Sequence, residues 1–425
     1  MLLSNGCERY KRDTYAALRR MRHSLAGSSL LPLTSTITGK RPTLLHTVVP
    51  GEIWTQDQQL GIVNVNVPIR STIIKIPGGG LNVINPIQPT PESVSQLHSL
   101  EEVHGPVKNV ILTSTAVEHR GSLGPFTQKF PKATCLYVKG QWTFPLPLGL
   151  RETGVVSRDI TPLPTSGIIP STGGLLIKTL GPLKFKSVGT YAEGAVYEGR
   201  TRTVVLTDSV ASVTEEPPDI IMVDRRPLLY HARDDGSEVV DDTPSTWRKG
   251  WRRMTLFGLC FYPGKIKVKG FIKAVIDANN TPKEMRGLGS DAVPANLYPW
   301  SWLPGDESNF ASFGDGKLFV PPILSKLIFD RDPEAVLAWA EDVAKWDFVR
   351  VIGAHYNNDV KAGPEEFLRA FDVLKGGEKG GRNRVMTEDL ELLQKASDRL
   401  TKLGIVEESK VCDGEEARNI ERLKL

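Results

Sequence analysis

From residue 64 onward the chain alternates short β-branched runs with stretches whose apolar positions have helical spacing. Residues 64–68 alternate polar and apolar side chains, and residues 71–77 cluster β-formers, so both read as strands. Gly78-Gly79-Gly80 makes a turn, and 81–84 begins the return strand of a hairpin. Thr90-Pro91-Glu92 opens a helix to about Glu102: Thr90 caps it, Pro91 suits its first position, and Glu92 complements the N-terminal dipole. Residues 107–113 form a buried type of strand, 123–130 a short helix and 133–138 the next strand.

Residues 161–174 are rich in Pro, Gly, Ser and Thr and read as a loop. Further strands are expected at 175–180, 185–188, 194–197 and 203–206. From 215 to 322 the pattern turns irregular, with frequent Pro and Trp, and reads as a long insertion or cap. A helix follows at 333–345, capped by Asp332, then a strand at 348–352 and a helix at 364–374. Residues 376–384 form a flexible basic linker, and the charged, helix-prone tail is expected to attach loosely. The βαβ order, with strands sandwiched by helices, puts the chain in the α/β class.

The domain organisation is therefore 1–50, a basic presequence; 51–375, the folded domain including the 215–322 insertion; and 376–425, linker and tail. The first 50 residues hold eight Lys/Arg, only two acids (Glu8 and Asp13) and many Ser/Thr, the make-up of an organelle transit peptide. A disordered basic tail has the same composition. A chloroplast or other plastid is the expected destination, with mitochondrion or cytoplasm as alternatives. Charged residues at 24% and a net charge of +4 are globular values that leave no electrostatic footprint for nucleic acid. No apolar run approaches the roughly 18–20 residues that span a bilayer. The four cysteines lie far apart, which fits a reducing compartment.

Three expected strands share one ending: each runs out into a residue able to bind metal or carry a proton. They end at Glu118-His119, Asp208 and His355. Layered α/β folds collect ligand sites at such strand ends. Arg120, beside His119, offers a simpler use of Glu118 as a structural ion pair. Trp247-Arg-Lys-Gly-Trp251-Arg-Arg253 mixes bases with aromatics, as a contact for RNA or lipid head groups does, but a packed pair of tryptophans with solvated bases is favoured. Asn296-Leu-Tyr-Pro-Trp300-Ser-Trp302 reads as cap packing.

The stretch 110–121, ending Ser114-Thr115-Ala116-Val117-Glu118-His119-Arg120-Gly121, resembles the His-x-His-x-Asp-His loop of the metallo-β-lactamase fold. Thr203-Val-Val-Leu-Thr-Asp208 resembles the later strand that delivers a bridging aspartate, and Arg350-Val-Ile-Gly-Ala-His355 the last strand that delivers a histidine. Pro68-Ile-Arg70-Ser-Thr72, Asn85-Pro86-Ile with Thr90-Pro91-Glu92, Leu206-Thr-Asp208, Phe329-Asp330-Arg331 and Trp346-Asp347-Phe348 together resemble the uncharacterised domain-of-unknown-function family 4336, over roughly residues 52–375. The resemblance implies a four-layer αββα sandwich. It also implies a departure: the first metal's slots hold Ser114, Ala116 and Thr190, which are poor ligands, whereas the second metal's slots hold Glu118, His119, Asp208 and His355.

The expectation is one zinc ion, or iron or manganese, held by those four residues and used for water attack on an ester, amide, thioester or phosphoester of an unidentified small molecule. Glu118 is the candidate catalytic residue, as a ligand or as an unligated general base. The alternative is a non-catalytic binding or assembly protein on the same fold, with no metal.

Overall fold

The structure, a computed structural model, describes residues 41–62, 64–142, 148–185, 189–286, 288, 296–375 and 387–411. The transit-peptide reading of residues 1–40, most of the strand expected at 185–188 and the linker at 376–384 lie outside the described residues.

Two sheets carry the fold. The first has seven strands in sequence order: β1 (Leu44–Val49), β2 (Ile53–Ile62), β3 (Val65–Lys75), β4 (Leu81–Ile84), β5 (Val107–Leu112), β6 (Thr134–Tyr137) and β7 (Ile160–Pro162). The second has five, in the order β14 (Arg350–Ile352), β11 (Thr203–Val205), β10 (Thr190–Glu198), β9 (Leu176–Lys184) and β8 (Ser166–Ile168). The loop expected at 161–174 thus contains two short edge strands, one on each sheet. Pro162 sits in β7, where an edge tolerates its missing N–H.

Strand alternation builds the layers. Ile74, Ile84 and Ile111 point inward and meet Ile177, Val196, Val205 and Ile352 of the second sheet in a dry inner core. Their neighbours Ile73, Val83, Val110 and Leu112 point outward, under helices α1 (Pro91–His104) and α2 (Val117–Lys129), against Leu97, Leu123 and Phe126. The insertion holds α3 (Asp219–Met222), α4 (Arg226–Ala232), α5 (Pro244–Cys260), α6 (Phe271–Asn279), the strand pair β12 (Ile266–Val268) and β13 (Trp300–Trp302), and α7 (Asp306–Phe310). After α8 (Pro322–Leu327), helices α9 (Pro333–Val343) and α10 (Pro364–Ala370) cover the outer face of the second sheet through Val336, Trp339 and Phe367. The chain is an αββα sandwich, the architecture expected from the resemblance.

Several elements differ from the sequence expectation. Folded structure begins at β1, ahead of Gly51. The runs at 64–68 and 71–77 are one continuous strand, β3, passing through Pro68. The insertion is more regular than its composition suggested, with its own core around Trp251, Tyr298 and Phe310 that packs on Leu44, Val65 and Val67. Trp251 is fully buried and Arg253 donates to Asp234 and Asp306, so this basic-aromatic segment is cap packing. Trp300 packs among Tyr230, His231 and Phe257. The tail forms α11 (Thr387–Lys402), and it is docked: Leu393 is fully buried, Asp389 accepts from the Gly264 N–H at 2.6 Å, and Arg331 donates to Ser397. Among the described residues, no helix is long and apolar enough to cross a membrane.

Candidate metal centre

Sheet register brings two of the four candidate residues together. β11 and β14 run parallel, with Thr203 opposite Arg350, Val204 opposite Val351 and Val205 opposite Ile352. Continuing that register places Asp208 opposite His355. The two chains stay together past the strand ends, because Leu206 N donates to Ile352 O at 2.9 Å and Ala354 N to Thr207 O at 3.2 Å.

The third contribution crosses from the other sheet. Beyond β5 the chain leaves its own sheet and pairs with β10: Gly194 N donates to Thr113 O at 2.7 Å and Thr115 N to Ala192 O at 3.1 Å. That crossing delivers the start of α2 to the end of β11. Glu118 and His119 lie in the first turn of α2, not in a loop. The helix therefore starts six residues ahead of the 123–130 span read from sequence. Gly121, Gly124 and Pro125 weaken the helical signal there. Gly124 is needed for packing, since a Cβ would stand 2.6 Å from the Thr153 carbonyl oxygen.

One ligand atom from each of Glu118, His119, Asp208 and His355 lies within 4.8 Å of every other. His355 Nε2 is 3.2 Å from Asp208 Oδ1, and His119 Nε2 is 3.4 Å from the same oxygen. Donors held at about 2.0–2.2 Å by a tetrahedral ion stand roughly 3.3–3.5 Å apart, a spacing that the two histidine–Asp208 separations match, while the full set spans up to 4.8 Å. His119 is fully buried, and its geometry toward Asp208 is not that of a hydrogen bond, so both its ring nitrogens lack a hydrogen-bond partner. An orphaned buried group of this kind costs about 1–3 kcal/mol, and an ion bound through Nε2 would relieve that nitrogen, leaving Nδ1 without a partner. His355 uses Nδ1 on the Pro68 carbonyl at 2.7 Å, which leaves Nε2 facing the other ligands. A ligating histidine held by its second nitrogen is the usual arrangement at metal sites.

Burial opposes charge at Asp208, but His119 and His355 beside it outweigh that and hold its carboxyl far below the usual carboxylate range. Burial lowers the His355 imidazole; its contact with Asp208 outweighs this and moves it up. Asp208 also accepts from Ser114 Oγ at 3.1 Å.

A buried scaffold fixes these groups. Glu193 is fully buried and accepts from the N–H groups of Thr207, Asp208 and Ser209 at 2.7, 3.2 and 2.9 Å, from Ser209 Oγ at 2.9 Å and from the Tyr191 hydroxyl at 2.6 Å. Burial and the Asp208 charge push the Glu193 carboxyl up, against the pull of these bonds. Arg70 pairs in bidentate fashion with Asp57 at 2.8 and 2.7 Å, directly across β2 and β3. Its remaining N–H groups donate to the carbonyls of Gly353, Tyr356 and Asn357, the loop that carries His355. Tyr356 there has a φ of 56°, a strained value for a bulky residue, so the clamp holds a conformation the loop does not prefer. Asn85, Thr113 and Thr207 bond to one another below the site.

All four sequence-identified residues converge. Ser114 enters the cluster through Asp208, while Thr190 is turned away, donating to Gly140 O at 2.6 Å. Arg120 does not pair with Glu118; its guanidinium donates to the carbonyls of Trp142 and Leu148. Sequence reasoning missed the roles of Glu193, Arg70 and Asp57. For Arg70 and Glu193 the available signal was a charged residue inside an otherwise strand-like run; the polar run around Asp57 carries none.

The family described as "Domain of unknown function (DUF4336)" matches residues 50–373. No curated protein matches the sequence. Among solved structures, similar chains include a metallo-beta-lactamase from Pontibacter korlensis, with 15% identity, 40% of this chain and 74% of that chain covered, and a TM-score of 0.30. Another is the mono-zinc form of the metallo-beta-lactamase FIM-1 from Pseudomonas aeruginosa, with 11% identity, coverage of 39% and 68%, and a TM-score of 0.28. A flavoprotein from Thermotoga maritima covers more of this chain, 80% against 63% of its own, at 8% identity and a TM-score of 0.39.

Proposed function

The chain belongs to the DUF4336 family, and from that premise we propose that it is a mononuclear metal-dependent hydrolase, its ion held by Glu118, His119, Asp208 and His355. The observation that carries this reading is the clustering of two imidazoles and two carboxylates, with His119 buried, its Nε2 3.4 Å from Asp208 Oδ1 and neither ring nitrogen in a hydrogen bond. The donor set suits zinc, iron or manganese. A divalent ion bound there supplies Lewis-acid chemistry, polarising an acyl or phosphoryl oxygen and acidifying water.

The protein's own part is positioning and proton transfer. The Pro68 carbonyl orients the His355 ring, and Glu193 fixes the backbone of Asp208. Glu118 is half-buried at the start of α2, where the helix dipole favours its negative charge. Its carboxylate either completes the ligand set or takes a proton from the attacking water. Esters, thioesters, amides and phosphoesters are the candidate substrate classes.

The test is turnover of chromogenic ester, thioester and phosphodiester probes by zinc- or manganese-loaded protein, beside Glu118→Gln. Turnover that chelator abolishes, and that Glu118→Gln lowers about 100-fold or more, is the expected result. Loss of metal in that variant assigns Glu118 as a ligand; retained metal assigns it as the base. A non-catalytic role is the second reading, favoured by Asp208 already being engaged by His355 and Ser114. Protein that purifies without metal and turns over none of the probes supports it.

A further inference from the structure

Among the described residues, eight of the eighteen exposed large apolar side chains fall between Phe261 and Leu303, in the insertion and far along the chain from the metal ligands. Four are on α6: Phe271 and Ile272 are 78% and 76% exposed, and Val275 and Ile276 continue the stripe. The helix packs onto the cap through Ala274 and Ala278, so its apolar stripe points away from the core. Val268, also exposed, ends the adjoining strand β12. Exposed apolar residues scattered singly need no explanation, but a contiguous patch marks a contact surface.

The charge around this patch identifies the contact. Residues 264–286 hold six basic residues against two acidic ones, a local excess as large as the net charge of +4 on the whole chain. Lys265 pairs with Glu388, and Lys269 and Lys273 share Asp277. Lys267 and Lys283 stand exposed. Phe271 and Ile272 project from the first helical turn. Protruding apolar side chains with exposed lysines close by along the chain match the boundary between acyl chains and anionic head groups.

We infer that α6 and the end of β12 form a peripheral membrane-docking surface that seats on anionic lipid. Phe271, Ile272 and Ile276 enter the head-group boundary, and Lys267 and Lys283 meet lipid phosphates and carboxylates. This surface goes beyond the hydrolase reading and does not depend on it.

The experiment is co-sedimentation of the full chain with vesicles of phosphatidylcholine alone and with about one quarter phosphatidylserine. Wild type is expected to pellet with the anionic vesicles, less with the neutral ones, and less as salt rises. Phe271→Ser with Ile272→Ser is expected to weaken binding about tenfold or more. These side chains are exposed, so an unchanged thermal midpoint shows that the variant still folds. Lys267→Glu with Lys283→Glu is expected to remove the preference for anionic lipid. Wild type remaining in the supernatant, or apolar variants that bind as wild type does, overturns the inference. So does a wild-type dimer in sedimentation velocity that the serine variants abolish without any vesicle binding, which assigns the patch to a second copy of the chain.

Discussion

Two of the proposed ligands, Asp208 and His355, depend on buried residues that stand behind the site, Glu193 and Arg70. Arg70 neutralises Asp57 and holds three carbonyls of the His355 loop. Arg70→Met leaves Asp57 as an uncompensated buried charge and is expected to cost about 3–5 kcal/mol in urea denaturation. Pairing it with Asp57→Asn is expected to recover part of that loss, and an additive double mutant would contradict the coupling. Glu193→Gln keeps an acceptor but replaces a carboxylate that gathers three N–H groups and two hydroxyls. The expected cost is about 1–3 kcal/mol, with metal affinity weakened as the Asp208 turn loosens. The four ligand candidates were legible in the sequence because each closes or follows a β-branched run. Their supports were not. Thr55, Gln56, Asp57 and Gln58 are buried polar residues of β2 whose partners, Asn358, Ser93, Gln96, Arg70 and Gln88, are distant in sequence, so no alternation marks that strand.

The elements best read in advance were those with local signals. Thr90 caps α1 by accepting from Ser93 N, and Asp332 caps α9 by accepting from Ala335 N, as their sequences indicate. Elements set by tertiary contact were misread. The first turn of α2 is held by the crossing from β5 to β10, and the tail helix by its dock on the cap and α8. For α11, polar composition pointed to loose attachment, yet Leu390 and Leu393 are buried on one face. Leu393→Ala is expected to lower stability by about 2–4 kcal/mol, read as a shifted denaturation midpoint. A tail that merely trails from the domain would leave the midpoint unchanged.

Pattern alone gave the α/β class; the αββα layering came from the resemblance, because strands such as β4 are buried on both faces and show no polar alternation. The insertion adds a pH-sensitive group to the whole molecule. Burial pushes the His231 imidazole down to about 3, where its Nε2 meets the Asn64 carbonyl at 3.1 Å. The unfolded chain therefore binds a proton near the ordinary value of 6.5 that the folded chain refuses. Stability is then fully present above that value and falls as pH drops toward 3. Asp208, whose pKa is depressed, has the same sign but acts only below its ordinary 3.8. The raised His355 has the opposite sign and acts only above 6.5. The raised carboxyls of Glu193, Asp330 and Asp389 act in the opposite sense within the window from 6.5 to 3.8, so the test is a difference: His231→Gln is expected to lose less thermal midpoint than wild type as pH falls through it. A variant loss equal to that of wild type would remove His231 as a contributor.

The central claim is that two sheets deliver four residues to one ion. The most direct measurement is elemental analysis by plasma mass spectrometry on untagged protein purified without chelator, beside His119→Ala and His355→Ala. Close to one zinc, iron or manganese ion per chain is expected in wild type, lost in both variants. Wild type without metal, or metal that both variants retain, contradicts it.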